Sequence, residues 1–149
     1  MVADKEQALH DWAQQNPYLT DKLTFDFIGA HDGNCGISPV SSDTVIKSYI
    51  DGTKRRQYVF ALMVVLAISD AYDNTNAENI LALRKWQSWI DEQEYLKNYP
   101  DFGDRCSDFR LENMPASSPS MALRFEGNLA KYQFFAQLTY KEATQNGRR

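Results

Sequence analysis

An Asp51-Gly52 pair stands between two runs of β-branched and aromatic residues, and it constrains the fold more than any other feature of this sequence. Asp-Gly readily adopts the positive φ angles that two-residue hairpin turns require. The flanking runs, Thr44 to Ile50 and Lys54 to Ile68, have the composition of strands. We therefore predict a hairpin whose second strand is long for so small a chain. Part of it is expected to project from the domain or to pair with a neighbour.

The central apolar stretch of that second strand lacks strict alternation. Val64, Val65 and Leu66 follow one another without a polar residue between them. A strand with this pattern is covered on both faces. The cover comes either from the chain itself or from another subunit, and the sequence leaves both alternatives open.

The segments before this hairpin predict a helix, a strand and a loop. Asp4 to Gln15 places Ala8, Leu9, Trp12 and Ala13 on one helical stripe. Lys22 to Gly29 alternates polar and apolar residues with period two, as a half-buried strand does. Ala30 to Ser42 is rich in Gly, Asn and Asp and contains a Pro, which indicates a surface loop or an irregular edge.

A longer helix is predicted in the middle of the chain. Thr75 and Glu78 have the spacing of a capping box, in which the two side chains satisfy free backbone N–H groups at a helix start. Apolar residues then recur at helical spacing to about Lys97: Ile80, Leu83, Trp86, Trp89, Ile90 and Leu96. Charged side chains between them are left for water: Lys85, Asp91, Glu92 and Glu94.

The last third of the chain predicts more antiparallel sheet. Phe109 to Met114 resembles a strand that enters a turn at 115–119. Met121 to Glu126 and Lys131 to Tyr140 alternate in polarity around Gly127-Asn128, which predicts a second hairpin. The predicted fold class is α+β: a mainly antiparallel sheet with two hairpins, flanked by an N-terminal helix and a longer central helix. Residues 1–143 are expected to form one domain, and 144–149 a flexible tail.

Composition and charge exclude several classes of protein. With 149 residues and 43% hydrophobic content, the chain is ordinary for one globular domain. A net charge of -4 argues against a main task of gripping nucleic acid, which needs clustered cations. No secretory signal is expected at the N-terminus, and no apolar run is long enough for a membrane helix. Two cysteines, Cys35 and Cys106, give neither a disulfide framework nor metal-site spacing.

Residues suited to catalysis are sparse. His10 and His31 are the only histidines, and His31-Asp32-Gly33 lacks the further ligands of a metal site or the partners of an acyltransfer base. Ser38, Ser41 and Ser42 stand in no nucleophile motif. The chain also contains no phosphate-binding glycine loop. The sequence therefore predicts no enzyme, no cofactor and no metal.

Five residues are predicted to contact a partner or a neighbouring subunit. Lys54, Arg55 and Arg56 follow the Asp-Gly turn, and Tyr58 continues the strand. The basic triplet has three interpretations: a charged hairpin tip that discourages edge pairing, a contact with an acidic surface, or phosphate contacts repeated around a ring. Phe135 lies on the otherwise polar face of its strand and is predicted to be an interface anchor.

Three segments resemble a family of small proteins from siphophages of Gram-positive hosts, encoded among head-to-tail joining genes. The first is Ser38 to Tyr58, which is preceded by Phe25 to Gly29. The second is Asn76 to Glu92, which contains Trp86-Gln-Ser-Trp-Ile-Asp-Glu92, and the third is Lys131 to Tyr140. The resemblance spans about Leu23 to Tyr140. Members carry the labels minor capsid protein or chloramphenicol resistance protein. The acetyltransferases of chloramphenicol resistance carry a His-His-x-x-x-Asp-Gly motif, which His31-Asp32-Gly33 does not reproduce.

The resemblance implies a virion protein, namely a tail terminator made in the host cytoplasm. It implies a homohexameric ring at the head-proximal end of the tail tube, with DNA passing through the lumen. The expected partners are further copies of the chain, the tail tube protein and the head-tail connector or stopper protein. Alternatives are a head-completion or other minor head-tail joining protein, a monomeric regulatory binding module and, remotely, a small enzyme such as an acyltransferase.

Overall fold

The computed structural model describes residues 5–18, 23–25, 35–67, 74–114, 120–125 and 128–143. Two helices and six strands lie in these ranges. In chain order they are α1 (Lys5–Ala13), β1 (Leu23–Phe25), β2 (Cys35–Ser48), β3 (Lys54–Ala67), α2 (Asn74–Leu96), β4 (Cys106–Asn113), β5 (Ser120–Phe125) and β6 (Leu129–Glu142). The predicted α+β class, with a short first helix and a longer central one, is confirmed.

The six strands form one sheet in which only the β1–β2 pair is parallel. The order is β1-β2-β3-β6-β4, and β5 also pairs with β6. Along one side β6 pairs with β3 over its whole length, while β5 and β4 share its other side. Asn128 precedes β6 with a φ of 63°, a left-handed value that Asn tolerates well. The mainly antiparallel sheet and both predicted hairpins are confirmed.

The β2–β3 turn follows from its sequence. The Tyr49 N–H donates to the Thr53 carbonyl oxygen at 2.9 Å, and the Asp51 carboxylate accepts the Thr53 N–H at 2.9 Å. Gly52 has a φ of 91°, a region that costs glycine little because it has no Cβ. The Asp-Gly signal thus marks the place where the chain reverses.

From Ala30 to Ser42 the prediction was a surface loop or an irregular edge. The loop alternative is wrong from Cys35 onward, because β2 begins there, whereas the irregular-edge alternative agrees with the register shifts of this strand. β1 pairs with β2 only as far as Ile37, and no described strand pairs with the outer side of β2 beyond that residue. An edge of this kind tolerates Pro39, which has no N–H to donate. The register shifts near Ser41 also fit a strand of irregular sequence.

The core lies between the sheet and the two helices. Residues of β6 alternate in burial, with the even-numbered residues from Ala130 to Tyr140 buried. β3 is buried on both faces from Tyr58 to Val65. The lack of alternation at Val64 and Val65 therefore corresponds to cover within this chain.

The helices pack on the sheet through tryptophans. Trp12 of α1 meets Phe60 edge-on at 6.2 Å and Trp89 of α2 at 4.9 Å between ring centroids. The predicted stripe of α2 is buried at Leu83, Trp86, Trp89 and Ile90, and Ile80 packs against it. Leu96 is 59% exposed, and its placement on the stripe is wrong. Six residues beyond Ile90 amount to a rotation roughly 120° away from the buried side.

Several predicted features lie outside the described residues. They are His31, the end of the first predicted strand after Phe25, the turn at 115–119, Gly127 and the tail at 144–149. Asn74 begins α2, so Thr75 of the predicted capping box lies inside the first turn and not before it.

Candidate functional site

The basic triplet is divided between the two faces of the sheet. Successive side chains of a strand point to opposite faces, so Arg55 and Arg56 separate. Arg56 lies on the helix-covered face, where its Nε is 2.8 Å from the Glu142 carboxylate. Arg55 lies on the other face and pairs with Asp108 at 2.7 Å. The three residues therefore do not form one basic site.

Glu142 is the centre of an ion cluster at the end of the core. Lys5 Nζ lies 3.1 Å from its carboxylate, and Arg105 approaches at 3.9 Å. Lys5 also donates to the Tyr140 hydroxyl at 3.3 Å and lies over that ring, 5.0 Å from its centroid. With Arg56, the cluster joins α1, β3 and β6. We interpret it as a structural cluster that holds the first helix on the sheet, because the charges of α1, β3 and β6 pair with one another there.

A second cluster lies on the opposite face around Tyr49. Lys47 and Lys141 place their ammonium groups 5.3 and 5.4 Å from the centroid of its ring. A hydrogen bond from Arg55 lowers the pKa of the Tyr49 hydroxyl, and the nearby lysines act in the same direction. Asp108 is shared by Arg55 and, at 3.7 Å, by Lys141. We call Lys47, Arg55 and Lys141 the basic patch.

The basic patch lies at the turn end of the β2–β3 hairpin, where Lys47 and Arg55 stand beside Lys141 of the paired strand β6. Residues 44–57, which we call the hairpin arm, comprise the ends of β2 and β3 and the turn between them. Every β2 residue from Thr44 to Ser48 is exposed, and Ile50 at the turn is fully exposed. Val45 and Ile46 are about half exposed. The arm therefore combines apolar and cationic groups outside the core.

The exposed side of α2 carries acidic residues near its C-terminal end, whereas Arg84 and Lys85 are exposed earlier on the same helix. Asp91, Glu92, Tyr95 and Leu96 are exposed near its C-terminal end, and we call these four residues the helix stripe. Tyr95 is 84% exposed, which is unusual for an aromatic side chain of this size. The last turn of α2 contains no basic residue to offset the partial negative charge of a helix C-terminus.

Tyr58 and Phe135 occupy opposite faces of the sheet. The Tyr58 side chain is 0% exposed, and its hydroxyl donates to Glu6 at 2.8 Å. Its predicted contact with a partner is therefore corrected: this residue belongs to the core and offers no surface. Phe135 is half-buried on the face away from the helices, in register with Ala61. Between this aromatic and the basic patch, Gln137 bridges Gln57 and Glu112 across three strands.

Histidine and metal chemistry receive no geometric support in the described ranges. His10 Nε2 lies 2.7 Å from the Leu23 carbonyl oxygen, so this nitrogen carries a proton and ties α1 to β1. No group of three or more potential metal ligands occurs among the residues that the structure describes. An open cleft of about 370 Å³ lies between α1 and residues 99–101, with Asp11 and Asp101 on its rim. It brings no nucleophile and base together.

Glu94 is a structural residue that sequence reasoning assigned to solvent. Its carboxylate accepts the Leu111 N–H and the Tyr99 hydroxyl, both at 2.8 Å, and so fixes α2 to β4. Partial burial acts against ionisation, but these bonds and Lys97 together lower the pKa of Glu94. Burial, followed by the charge of Glu94, raises the pKa of Tyr99 to about 12. The sequence contains no pattern that connects Glu94 with Leu111 or Tyr99, so these bonds could not be predicted from it.

Alkaline pH is expected to destabilise the fold through Tyr99. Its pKa in the folded state is about 12, whereas an unfolded tyrosine titrates near ~10. The stabilisation is therefore complete below pH ~10 and is lost as the pH rises to about 12. The urea midpoint is measured at the two ends of this pH window. Its decrease from the lower to the higher pH should be smaller for Tyr99→Phe than for the parent chain. Tyr95→Phe, which removes an exposed hydroxyl, should behave as the parent; equal curves for Tyr99→Phe and the parent would contradict the assignment.

Comparisons with known proteins add no family to this geometry. No protein-family model matches the chain, and no curated protein sequence matches it. Within the described ranges, no helix has the length and apolar character needed to cross a membrane.

Proposed function

We propose that this chain is a structural protein of a tailed-phage virion, a tail terminator that forms a ring at the head-proximal end of the tail tube. The observation that carries the proposal is the hairpin arm, which presents Val45, Ile46 and Ile50 together with the basic patch outside the core. Exposed apolar residues grouped in this way are typical of protein contact sites. The resemblance from Leu23 to Tyr140 supplies the expected partners.

The role requires surfaces more than chemistry. A terminator binds the growing end of the tube, which stops further subunits from adding, and then presents a different surface to the head connector. The arm is one such surface. Many of the polar groups in the core and at its margin are engaged in holding elements together, as Glu94 and Glu142 are, which also favours an assembly role.

A head-completion protein is the second candidate, because the same arm suits a ring nearer the portal. Copy number separates the two roles. Six copies per virion at the tail end would support the terminator, whereas twelve copies retained on tailless heads would support head completion. Quantitative mass spectrometry of purified heads, tails and virions gives both numbers.

Deletion of the gene in the phage that encodes it is the direct test. Lysates examined by negative-stain electron microscopy are expected to contain full heads beside overlong or unjoined tails. Supplying the intact gene from a plasmid should restore joined particles of normal tail length. Infectious particles with tails of normal length in the deletion strain would overturn the proposal.

A further inference from the structure

The hairpin arm and the helix stripe lie at opposite edges of the sheet. The arm belongs to the β2 side, whereas α2 packs chiefly against β4 at the other end of the strand order. Asn113 of β4 donates to the Asp91 carboxylate and to the Gln87 carbonyl, both at 3.0 Å. The Glu94 bond to Leu111 holds the same part of α2. Both surfaces are therefore held by the same sheet, at different ends of its strand order.

The arm is positively charged in a protein that is negative as a whole. The arm and the groups that contact it contain five cations: Lys47, Lys54, Arg55, Arg56 and Lys141. Three of them, Arg55, Arg56 and Lys141, pair with the carboxylates of Asp108 and Glu142. Asp51, Asp108 and Glu142 supply three negative charges, which leaves 5 − 3 = +2 against −4 for the chain. Such a local excess attracts an acidic surface.

The helix stripe has the properties of that acidic surface. Asp91 and Glu92 provide charge, Tyr95 and Leu96 provide exposed apolar area, and the helix C-terminus adds a partial negative charge that no basic residue of the last turn offsets. Lys97, just after the helix, is engaged with Glu94 at 3.3 Å. The negative charges of the stripe therefore complement the positive charges of the arm, and its exposed apolar side chains can pack against those of the arm.

We propose that the hairpin arm of one copy docks on the helix stripe of the next copy. The inference deepens the proposed function, on which it rests, by naming the contact that builds the ring. Because the two surfaces differ, the contact is heterologous and repeats from copy to copy until the ring closes. Arm against arm would bring two basic patches together, and stripe against stripe two acidic ones, so neither symmetric dimer is favoured.

Cysteine cross-linking tests the pairing of the two surfaces. Ile50→Cys and Tyr95→Cys are placed in separate full-length chains and then together in one chain. Cys35 and Cys106 are buried, so the parent chain serves as the control for background reaction. With a short bis-maleimide, an equal mixture of the single variants should give a dimer, and the double variant a ladder that ends at the ring size. A dimer from Ile50→Cys alone, or no product in both concentrated protein and virions, would overturn the contact.

Charge reversal tests its electrostatic part. Lys47→Glu with Lys141→Glu is expected to weaken self-association, measured by native mass spectrometry and light scattering, by about tenfold. Combining it with Asp91→Lys and Glu92→Lys should restore association. Lys131→Glu, ten residues from Lys141 along the same strand, makes the same charge change as Lys141→Glu away from both surfaces and should leave association unchanged. Weakening by Lys131→Glu equal to that by Lys141→Glu alone, or no rescue by the swap, would contradict the docking.

The outcomes for the contact and for the terminator role are separable. A cross-linked ladder from a chain that is absent from virions would uphold the contact and reject the virion function. Overlong tails on deletion, together with normal tails in the charge-reversal variant and no ladder, would uphold the terminator and reject the contact.

Discussion

Replacing Phe134 by alanine is expected to lower the free energy of unfolding by about 4 kcal/mol. Phe134 is 0% exposed, lies in register with Leu62 on the helix-covered face of β6, and belongs to the single large core cluster. Removing its ring loses the transfer free energy of the buried atoms and leaves a cavity that a two-layer packing fills poorly. Urea denaturation followed by tryptophan fluorescence measures the loss directly.

Phe135→Ala is the matched control for this prediction. It deletes the same ring from the next residue of the same strand, but on the face that the helices do not cover. Because Phe135 is only half-buried, we expect a loss of about 1 kcal/mol. Equal losses would show that both faces of β6 are equally important to the core. In that case Phe135 would not be available as an anchor for a partner.

Replacing Glu142 by alanine is expected to lower the free energy of unfolding by about 2 kcal/mol. The change leaves Lys5 and Arg56 at the margin of the core without the carboxylate that they share. Breaking a buried ion pair from one side costs more than the pair contributes, since the remaining charges stay poorly hydrated. Solvent reaches this cluster, notably at Arg105, so the expected cost is below that of a fully buried pair.

Arg56→Ala and Arg55→Ala provide a comparison on the same strand. In a double-mutant cycle, the costs of Arg56→Ala and Glu142→Ala should be non-additive by about 1 kcal/mol, because both changes remove the same ion pair. The Arg55 pair with Asp108 is more exposed, and its removal should cost at most about 0.5 kcal/mol. Equal costs for the two arginines would contradict the division of the triplet between a structural and an exposed face.

Much of the local structure could be predicted because its signals are local. Asp51-Gly52 specifies the turn through backbone φ angles, and the alternation in β6 specifies which face is buried. Helical spacing located α2 and its tryptophans. For Cys35 to Ser42 the sequence left a loop and an irregular edge open. Its Gly and Pro indicate a loop, but pairing with β3 overrides that preference and gives a strand with register shifts.

The candidate site was only partly predictable. Period two already places Arg55 and Arg56 on opposite faces and Tyr58 on the side of Arg56. Their partners, Asp108 and Glu142, stand more than fifty residues away in the sequence, and no local pattern connects them. The cluster around Tyr49 joins side chains from β2, β3 and β6, so it exists only once the strand order is known.

The sequence by itself determined most of the elements, the first turn and the buried face of most strands, since each depends on the conformational preferences of neighbouring residues. The tertiary structure decided the strand order, in which β6 lies between β3 on one side and β4 with β5 on the other. That order places Lys141 beside Arg55, brings the helix stripe to the edge opposite the hairpin arm, and buries Tyr58. Pairing over such distances is selected by the burial of the whole core, to which every element contributes at once.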